Sequence, residues 1–291
     1  MRARRAGTGP PALSPAPRSF LFLQGPQSRF FERIARELIA HGHRATRINL
    51  NFGDRLVWRL PAIDFRGRLA DWPGFVTRVI AERGVSDVVL LGAQRPYHLA
   101  AAQVARESGA RVFVTDLGLL RPGWLTLAAS DWRMPRDPAA IRALAARFPE
   151  PDLAPGFAAP FRLLAAHDIA YHVPSVLGRA LYPHYRRHNL HHPFAEYAAW
   201  VGNAPRRLAA KRRVAAAKAR FAAEPGSYFI YPLQLAGDFQ LRAHSPFAGG
   251  QKALAAVLCS FREHGGERRL VIAGHPLDEG LIDWRRLVRG E

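Results

Sequence analysis

An apolar run, Leu270-Val-Ile-Ala273, ends in Gly274 and is followed at once by His275-Pro276. If the run is a buried strand, the imidazole stands at the strand's carboxyl end, where open α/β sheets bind their ligands, and it can donate to a phosphate oxygen there. The other reading is a loop histidine bonded to a backbone carbonyl; Gly274 and Pro276 shape the turn in both. A second apolar run, Ala110–Thr115, leads into Asp116-Leu117-Gly118. A carboxylate at a strand end can take a proton from a hydroxyl, but an Asp before Leu-Gly is also a turn and cap residue. Arg95, with Tyr97 and His98 at the start of a helical stretch, can bind an anion or sit as a solvated cap.

These residues need strands that end beside one another. Phe20-Leu-Phe-Leu23 breaking into Gln24-Gly25-Pro26 reads as a strand and glycine loop, and residues 28–41 follow with Phe30, Phe31, Ile34, Leu38 and Ile39 at helical spacing. The glycine either lets a ligand approach the backbone or serves turn geometry alone. Gly42 stops the helix, and Ala45–Asn49 predicts another strand. Further strands are expected at Asp87–Leu91 and Ala110–Thr115, flanking a helix over Pro96–Ser108. Strands alternating with helices imply a parallel sheet with helices on both faces.

The pattern predicts an α/β chain with four parts. Residues 1–18, rich in Arg, Pro and Ala, read as a disordered basic tail, and 19–150 as a Rossmann-like lobe. Residues 151–226 read as a helical basic connector, with helix over 161–183. Residues 227–291 read as the start of a second lobe, with a strand at Tyr228–Tyr231, a helix near 249–264 and the Leu270–Ala273 strand. The sixty-odd residues after Ser227 are too few for a complete nucleotide-binding lobe, so this lobe is expected to be cut short.

A hydrophobic share of 48% and a charged share of 22% fit a folded globular chain, and no apolar run approaches the roughly 18 residues of a spanning helix. The net charge of +19 points to phosphate-bearing donors, anionic lipid or nucleic acid. Coding bias toward arginine competes with that reading, since the only lysines are Lys211, Lys218 and Lys252. Nucleic acid is disfavoured, because no stacking aromatics interleave with the basic runs and no finger, homeodomain or RNA-recognition signature is present. The first turn lacks Gly-x-Gly-x-x-Gly, which argues against a dinucleotide cofactor. Cys259 is the only cysteine, so there is no internal disulfide, and a reducing cytoplasm fits. His184, His188, His191 and His192 cluster, with 184 and 188 spaced for one helical face, but no carboxylate accompanies them and a basic connector is preferred to a metal site. The basic run Arg206 to Arg220 could lie on anionic lipid or be a solvated helix.

Several segments in order resemble the capsule polysaccharide biosynthesis and export family, whose better-known members look like β-Kdo glycosyltransferases. They are Phe20–Pro26, Gly42-His-Arg44 with Asn49–Asp54, Arg95–His98, Asp116–Pro122 with Trp124–Thr126, Pro135–Pro138, Tyr231–Gln234 with Asp238–Gln240, Arg242–Pro246 and His275–Asp278. The resemblance implies a GT-B-like architecture of two Rossmann-like lobes facing across a cleft. It implies transfer of Kdo from CMP-Kdo to a lipid-linked acceptor, with no cofactor and no metal, because protein donors can neutralise a single phosphate. It assigns Asp116 as the catalytic carboxylate, and His275, Pro276, Arg242, His244 and Ser245 to the donor side. Gln24, Gly25, Pro26, Asn51, Asp54, Arg95, His98, Gly118 and Arg121 fall to the acceptor side or the cleft lining, although Asn-Phe-Gly-Asp is also turn chemistry. The partners implied are a nucleotide sugar, a lipid-linked acceptor, the anionic inner-membrane surface and other capsule assembly proteins, with a cytoplasmic, membrane-peripheral location.

The chain departs from the family pattern at Leu117, where a second acid is usual, at Ala273, where a lysine is usual, and at Ala93. These departures and the short second lobe support an alternative: a catalytically inactive, truncated relative that only binds partners or membrane.

Overall fold

Along Leu21-Phe22-Leu23 alternate side chains leave a strand on opposite faces, and two cores form accordingly. Leu21 and Leu23 join Ile48, Leu50, Val88 and Leu90 on one face, and Phe22 joins Ala45 and Val89 on the other. The computed structural model describes residues 16–117, 125–129, 137–147, 160–188, 190–224, 226–237, 245–247 and 249–290. The chain divides between Arg186 and Arg187 into two units.

In the first unit the order is β1 (Ser19–Phe22), α1 (Phe30–Ala40), β2 (Arg44–Asn49), α2 (Phe52–Leu56), β3 (Ala62–Asp64), α3 (Trp72–Arg83), β4 (Asp87–Leu91), α4 (Pro96–Glu107), β5 (Arg111–Leu117), β6 (Leu125–Ala129), α5 (Pro138–Ala145) and α6 (Phe161–Leu177). Short 3-10 turns span Leu69–Asp71 and Gly178–Leu181. The sheet runs β3-β2-β1-β4-β5-β6. Strands β1 to β5 are parallel, in the order of a dinucleotide-binding sheet. Helices α3 and α4 cover one face through Trp72, Val76, Ile80, Tyr97 and Ala101, and α1 covers the other through Phe31 and Ala35. This is the α/β class that the alternating pattern predicts.

Three expectations change. The parallel sheet ends in an antiparallel strand, with Asp116 opposite Thr126. The seven residues between β5 and β6 are too few for the crossover of a dozen or more that a parallel neighbour needs. Arg18, assigned by composition to the tail, pairs with the buried Asp87 and belongs to the folded unit. His184 and His188 do not share a helical face, because no helix is formed over 182–188.

Helix α6, read from sequence as part of the connector, lies within the first unit and packs on α2. Tyr171 and Ser175, four apart, present one face, and Ser175 Oγ accepts from Gly53 N at 3.1 Å. The approach is close: a Cβ on Gly53 would meet Ser175 Oγ at 2.4 Å and the Tyr171 carbonyl oxygen at 2.6 Å.

The second unit holds α7 (Pro193–Ala223), β7 (Tyr228–Pro232), α8 (Gly250–His264), β8 (Arg269–Ala273) and α9 (Trp284–Arg289). β7 and β8 pair in parallel, Tyr228 with Arg269 through Pro232 with Ala273. Leu233, Ala253 and Leu254 are buried there. Helix α7 carries the basic run on a largely exposed surface.

The Gly53 contact predicts opposite signs for two glycine substitutions, read by thermal unfolding. Gly53→Ala forces α6 away from α2 and lowers stability by about 1–3 kcal/mol. Gly74→Ala in α3, where an added Cβ meets nothing, raises it by about 0.5–1 kcal/mol. Equal behaviour of the two would contradict the packing described.

Candidate functional site

Between β1 and β4 the chain order of the sheet reverses, and the loops leaving these strands diverge at their carboxyl ends. Gln24 follows β1, Arg95 follows β4, Asn51 and Asp54 follow β2, and Asp116 lies near the end of β5. The side chains of Gln24, Arg95, Asn51 and Asp54 form one network with Tyr171 and Tyr185. Gln24 Oε1 accepts from Arg95 Nη1 at 3.2 Å, and Gln24 Nε2 donates to Tyr171 Oη at 2.8 Å and Tyr185 Oη at 3.1 Å. Tyr171 Oη donates to Asp54 Oδ1 at 2.9 Å and accepts from Asn51 Nδ2 at 3.1 Å.

Asp54 is fully buried, and so is its ion-pair partner Arg47, whose Nη2 donates to Asp54 Oδ1 at 2.6 Å. Asp54 Oδ2 accepts from Leu50 N at 3.0 Å, while Asp54 N donates to Asn51 Oδ1, so Asn51 also caps α2. The Arg47 guanidinium lies 5.5 Å from the centre of the Trp58 ring, and its Nε and Nη1 have no hydrogen-bond partner. Asp54 is therefore the charge on which Arg47 depends for its place in the interior.

The electrostatics separate the groups by task. Burial lowers the pKa of Arg95, and Tyr171, Tyr185, Asp54 and Asp116 each raise it, so the guanidinium keeps its charge and feels the Asp116 carboxylate. Burial, then Asp54, lifts Tyr171 well above the ordinary phenol value, and the same two causes lift Tyr185 to about 12. Both phenols stay protonated at neutral pH, Tyr171 donating to Asp54 and Tyr185 accepting from Gln24. His98 is fully buried with Nδ1 2.9 Å from the Gly92 carbonyl oxygen, and burial, then Arg95, pushes it down to about 3. Its ring is neutral, with Nδ1 donating and Nε2 unpartnered in the interior.

Of the residues read from sequence as lining the cleft, Gln24, Asn51, Asp54 and His98 are buried, and they support the corner from beneath. Gly25 is there for packing, since a Cβ would meet the Phe31 ring at 2.4 Å. Pro26 and Arg95 are partly exposed, as is Asp116. Gly118, Arg121, Arg242 and His244 lie outside the described residues. Sequence reasoning missed Arg47, Tyr171 and Tyr185. The four-residue spacing of Tyr171 and Ser175 was the available signal for α6; nothing local marks Tyr185.

In the second unit His275 stands two residues beyond β8, at the strand's carboxyl end. Its Nδ1 accepts from Leu277 N at 3.0 Å, and its carbonyl accepts from Asp278 N. An acceptor at Nδ1 places the ring proton on Nε2, which makes Nε2–H the donor of the half-buried ring. The loop is tied to α7: Arg207 donates to the Pro276 and Asp278 carbonyls, and Asn203 Nδ2 to the Glu279 carbonyl at 3.1 Å. Asp278 Oδ2 accepts from Trp284 Nε1 at 3.0 Å. Ser245 Oγ is engaged in its own turn, accepting from Phe247 N at 3.1 Å.

The family described as capsule polysaccharide biosynthesis protein matches residues 86–291. Capsule polysaccharide modification protein LipB of Neisseria meningitidis serogroup A is 31% identical over 284 residues, covering 93% of this chain and 68% of its own. Capsule polysaccharide export protein KpsS of Escherichia coli is 27% identical over 279 residues, 94% of this chain and 71% of its own. Among solved structures, UDP-GlcNAc 2-epimerase from Methanocaldococcus jannaschii aligns over 94% of this chain and 68% of its own at 16% identity, with a TM-score of 0.30, too slight a likeness to assign anything.

The buried neutral imidazole makes a pH prediction. The folded-state value of His98 is depressed to about 3 from 6.5, so its contribution is complete above pH 6.5 and is lost as pH falls toward 3. The loss approaches about 1.4 kcal/mol per pH unit, or roughly 2 kcal/mol between pH 6.5 and 5. Urea unfolding of the wild type and His98→Gln at both pH values should show a flatter pH dependence in the variant. Parallel curves would show that His98 titrates alike in both states.

Proposed function

The chain belongs to the capsule polysaccharide biosynthesis family, and on that premise we propose that it is a GT-B-like glycosyltransferase moving Kdo from CMP-Kdo to a hydroxyl of a lipid-linked acceptor. Its role in capsule polysaccharide biosynthesis follows from the family itself. The observation that carries the finer reading is Asp116. It is a partly exposed carboxylate near the end of β5, the strand next to β4, with its charge acting on Arg95.

In this reading the acceptor oxygen bonds to the anomeric carbon of Kdo as the bond from that carbon to the CMP phosphate oxygen breaks. Asp116 takes the proton of the acceptor hydroxyl, and the bonding pair leaves with CMP. Nε2–H of His275 donates to the departing phosphate and offsets its growing charge. Arg95 holds an anionic group of a substrate near Asp116. The network of Gln24, Tyr171, Tyr185 and Asp54 fixes where its guanidinium can point. Among the described residues no helix is long and apolar enough to cross a membrane. Contact with the anionic inner-membrane surface, which the exposed basic run on α7 would serve, is part of the proposal, as is contact with other capsule assembly proteins.

Leu117 supports a second reading: the family resemblance implies a second acid at this position, and without it the chain is a non-catalytic binding member of the capsule machinery. Purified chain incubated with CMP-Kdo and a lipid acceptor decides between them. The transferase reading expects saturable CMP binding, CMP release and Kdo-bearing lipid. Asp116→Asn should lower turnover about 100-fold or more while CMP affinity holds, and His275→Ala should weaken CMP binding about tenfold. Failure of the wild type to bind CMP or form product would leave the non-catalytic reading.

A further inference from the structure

On the first unit, at the β3 side of the sheet, an open depression of about 700 Å³ is lined by Arg68, Leu69, Arg179, His184, Tyr185 and Arg186, with Ala70 and Pro183 completing the wall. No carboxylate lines it. Among the described residues no ion pair engages Arg68, Arg179 or Arg186. Three arginines around one depression that no carboxylate lines favour a polyvalent anion there.

The segments that carry the arginines are held in place. Arg68 begins the 3-10 turn Leu69–Asp71, its backbone N–H donating to Asp71 Oδ2 at 3.0 Å, and Arg179 lies in the 3-10 turn Gly178–Leu181. The loop bearing Arg186 is pinned at three points. Tyr182 Oη donates to Asp64 Oδ1 at 2.7 Å, Tyr185 Oη accepts from Gln24, and the backbone N–H of Arg186 donates to Tyr97 Oη at 3.2 Å. Tyr185 stacks on Tyr97, and the Tyr97 carbonyl accepts from Trp72 Nε1 at 2.8 Å, so the back wall is continuous with the core. Cations presented by a pre-ordered backbone bind an anion with little further loss of freedom.

We propose that this depression is a binding site for a phosphate group. Phosphate is the anion that fits. Its oxygens can take forked N–H pairs from more than one guanidinium at once, whereas a carboxylate occupies a single fork. The phosphate comes either from a soluble phosphate ester or from a lipid headgroup. The site does not rest on the transferase reading, and its test uses neither CMP-Kdo nor transfer.

The whole chain is titrated with inorganic phosphate and with glycerol phosphate, and is separately floated with vesicles of phosphatidylcholine alone or mixed with phosphatidylglycerol. The variants are Arg68→Ala with Arg179→Ala, Arg179→Lys, and, as an equal charge change elsewhere on the first unit, Arg33→Ala with Arg83→Ala on α1 and α3. Saturable binding of soluble phosphate that falls about tenfold or more in the Arg68/Arg179 pair, falls partly in Arg179→Lys and is unchanged in the Arg33/Arg83 pair assigns a soluble ester. Binding only to the phosphatidylglycerol vesicles, lost in the Arg68/Arg179 pair and kept in the Arg33/Arg83 pair, assigns a lipid headgroup. If neither probe binds, or if both variant pairs lose binding equally, the pocket is not a phosphate site. The substituted arginines are exposed, so circular dichroism of each variant should match the wild type.

Discussion

The carboxylate of Asp54 has no solvent contact, and what it receives in place of water comes from separate parts of the chain. The guanidinium of Arg47 on β2, the backbone of Leu50, the phenol of Tyr171 on α6 and the amide of Gln24 after β1 all converge on it. Burying two opposite charges is tolerable only while their mutual geometry and remaining hydrogen bonds are intact. The arrangement therefore couples the sheet edge to the docking of α6. Gly53 permits the helix to approach, the approach delivers Tyr171, and Tyr171 completes the shell of Asp54. Gln24 then holds Arg95 from the same shell, so the direction of its largely buried guanidinium follows from the groups beneath it.

What could be read from the chain without its fold was local. The strand at Phe20–Leu23, the strand at Asp87–Leu91 and the helix after Arg95 were legible because a short apolar run or a helical pattern and its Gly or Pro boundary lie within a short window. The antiparallel β6 was missed because alternation reports a strand's faces and not its direction. Tyr171 and Tyr185 meet Gln24 across 147 and 161 residues of sequence, and no local pattern carries a contact of that length. His98 shows the opposite error. Its position beside Arg95 and Tyr97 suggested a ligand-facing group, yet two residues past the helix start it turns inward and supports the Gly92 carbonyl.

The two units contribute different chemistry. The first places a carboxylate and a guanidinium at the carboxyl edge of a six-stranded sheet. The second places an imidazole, with its proton fixed on Nε2 by a turn, after a parallel strand. In the proposed transfer these are a base and a leaving-group donor, each held by backbone that has other structural reasons to be where it is. The arginine-lined depression shares Tyr185 with the Asp54 network: the same residue bonds to Gln24 and forms part of the depression's wall.

All of this presumes that the Arg47–Asp54 pair holds the corner together. The most direct test is the unfolding free energy of Asp54→Asn, measured by urea titration at neutral pH beside the wild type. Removing the carboxylate charge leaves Arg47 buried and uncompensated, and a loss of about 3–5 kcal/mol is predicted. A loss under about 1 kcal/mol, with the Tyr171 and Gln24 contacts unchanged, would contradict the account.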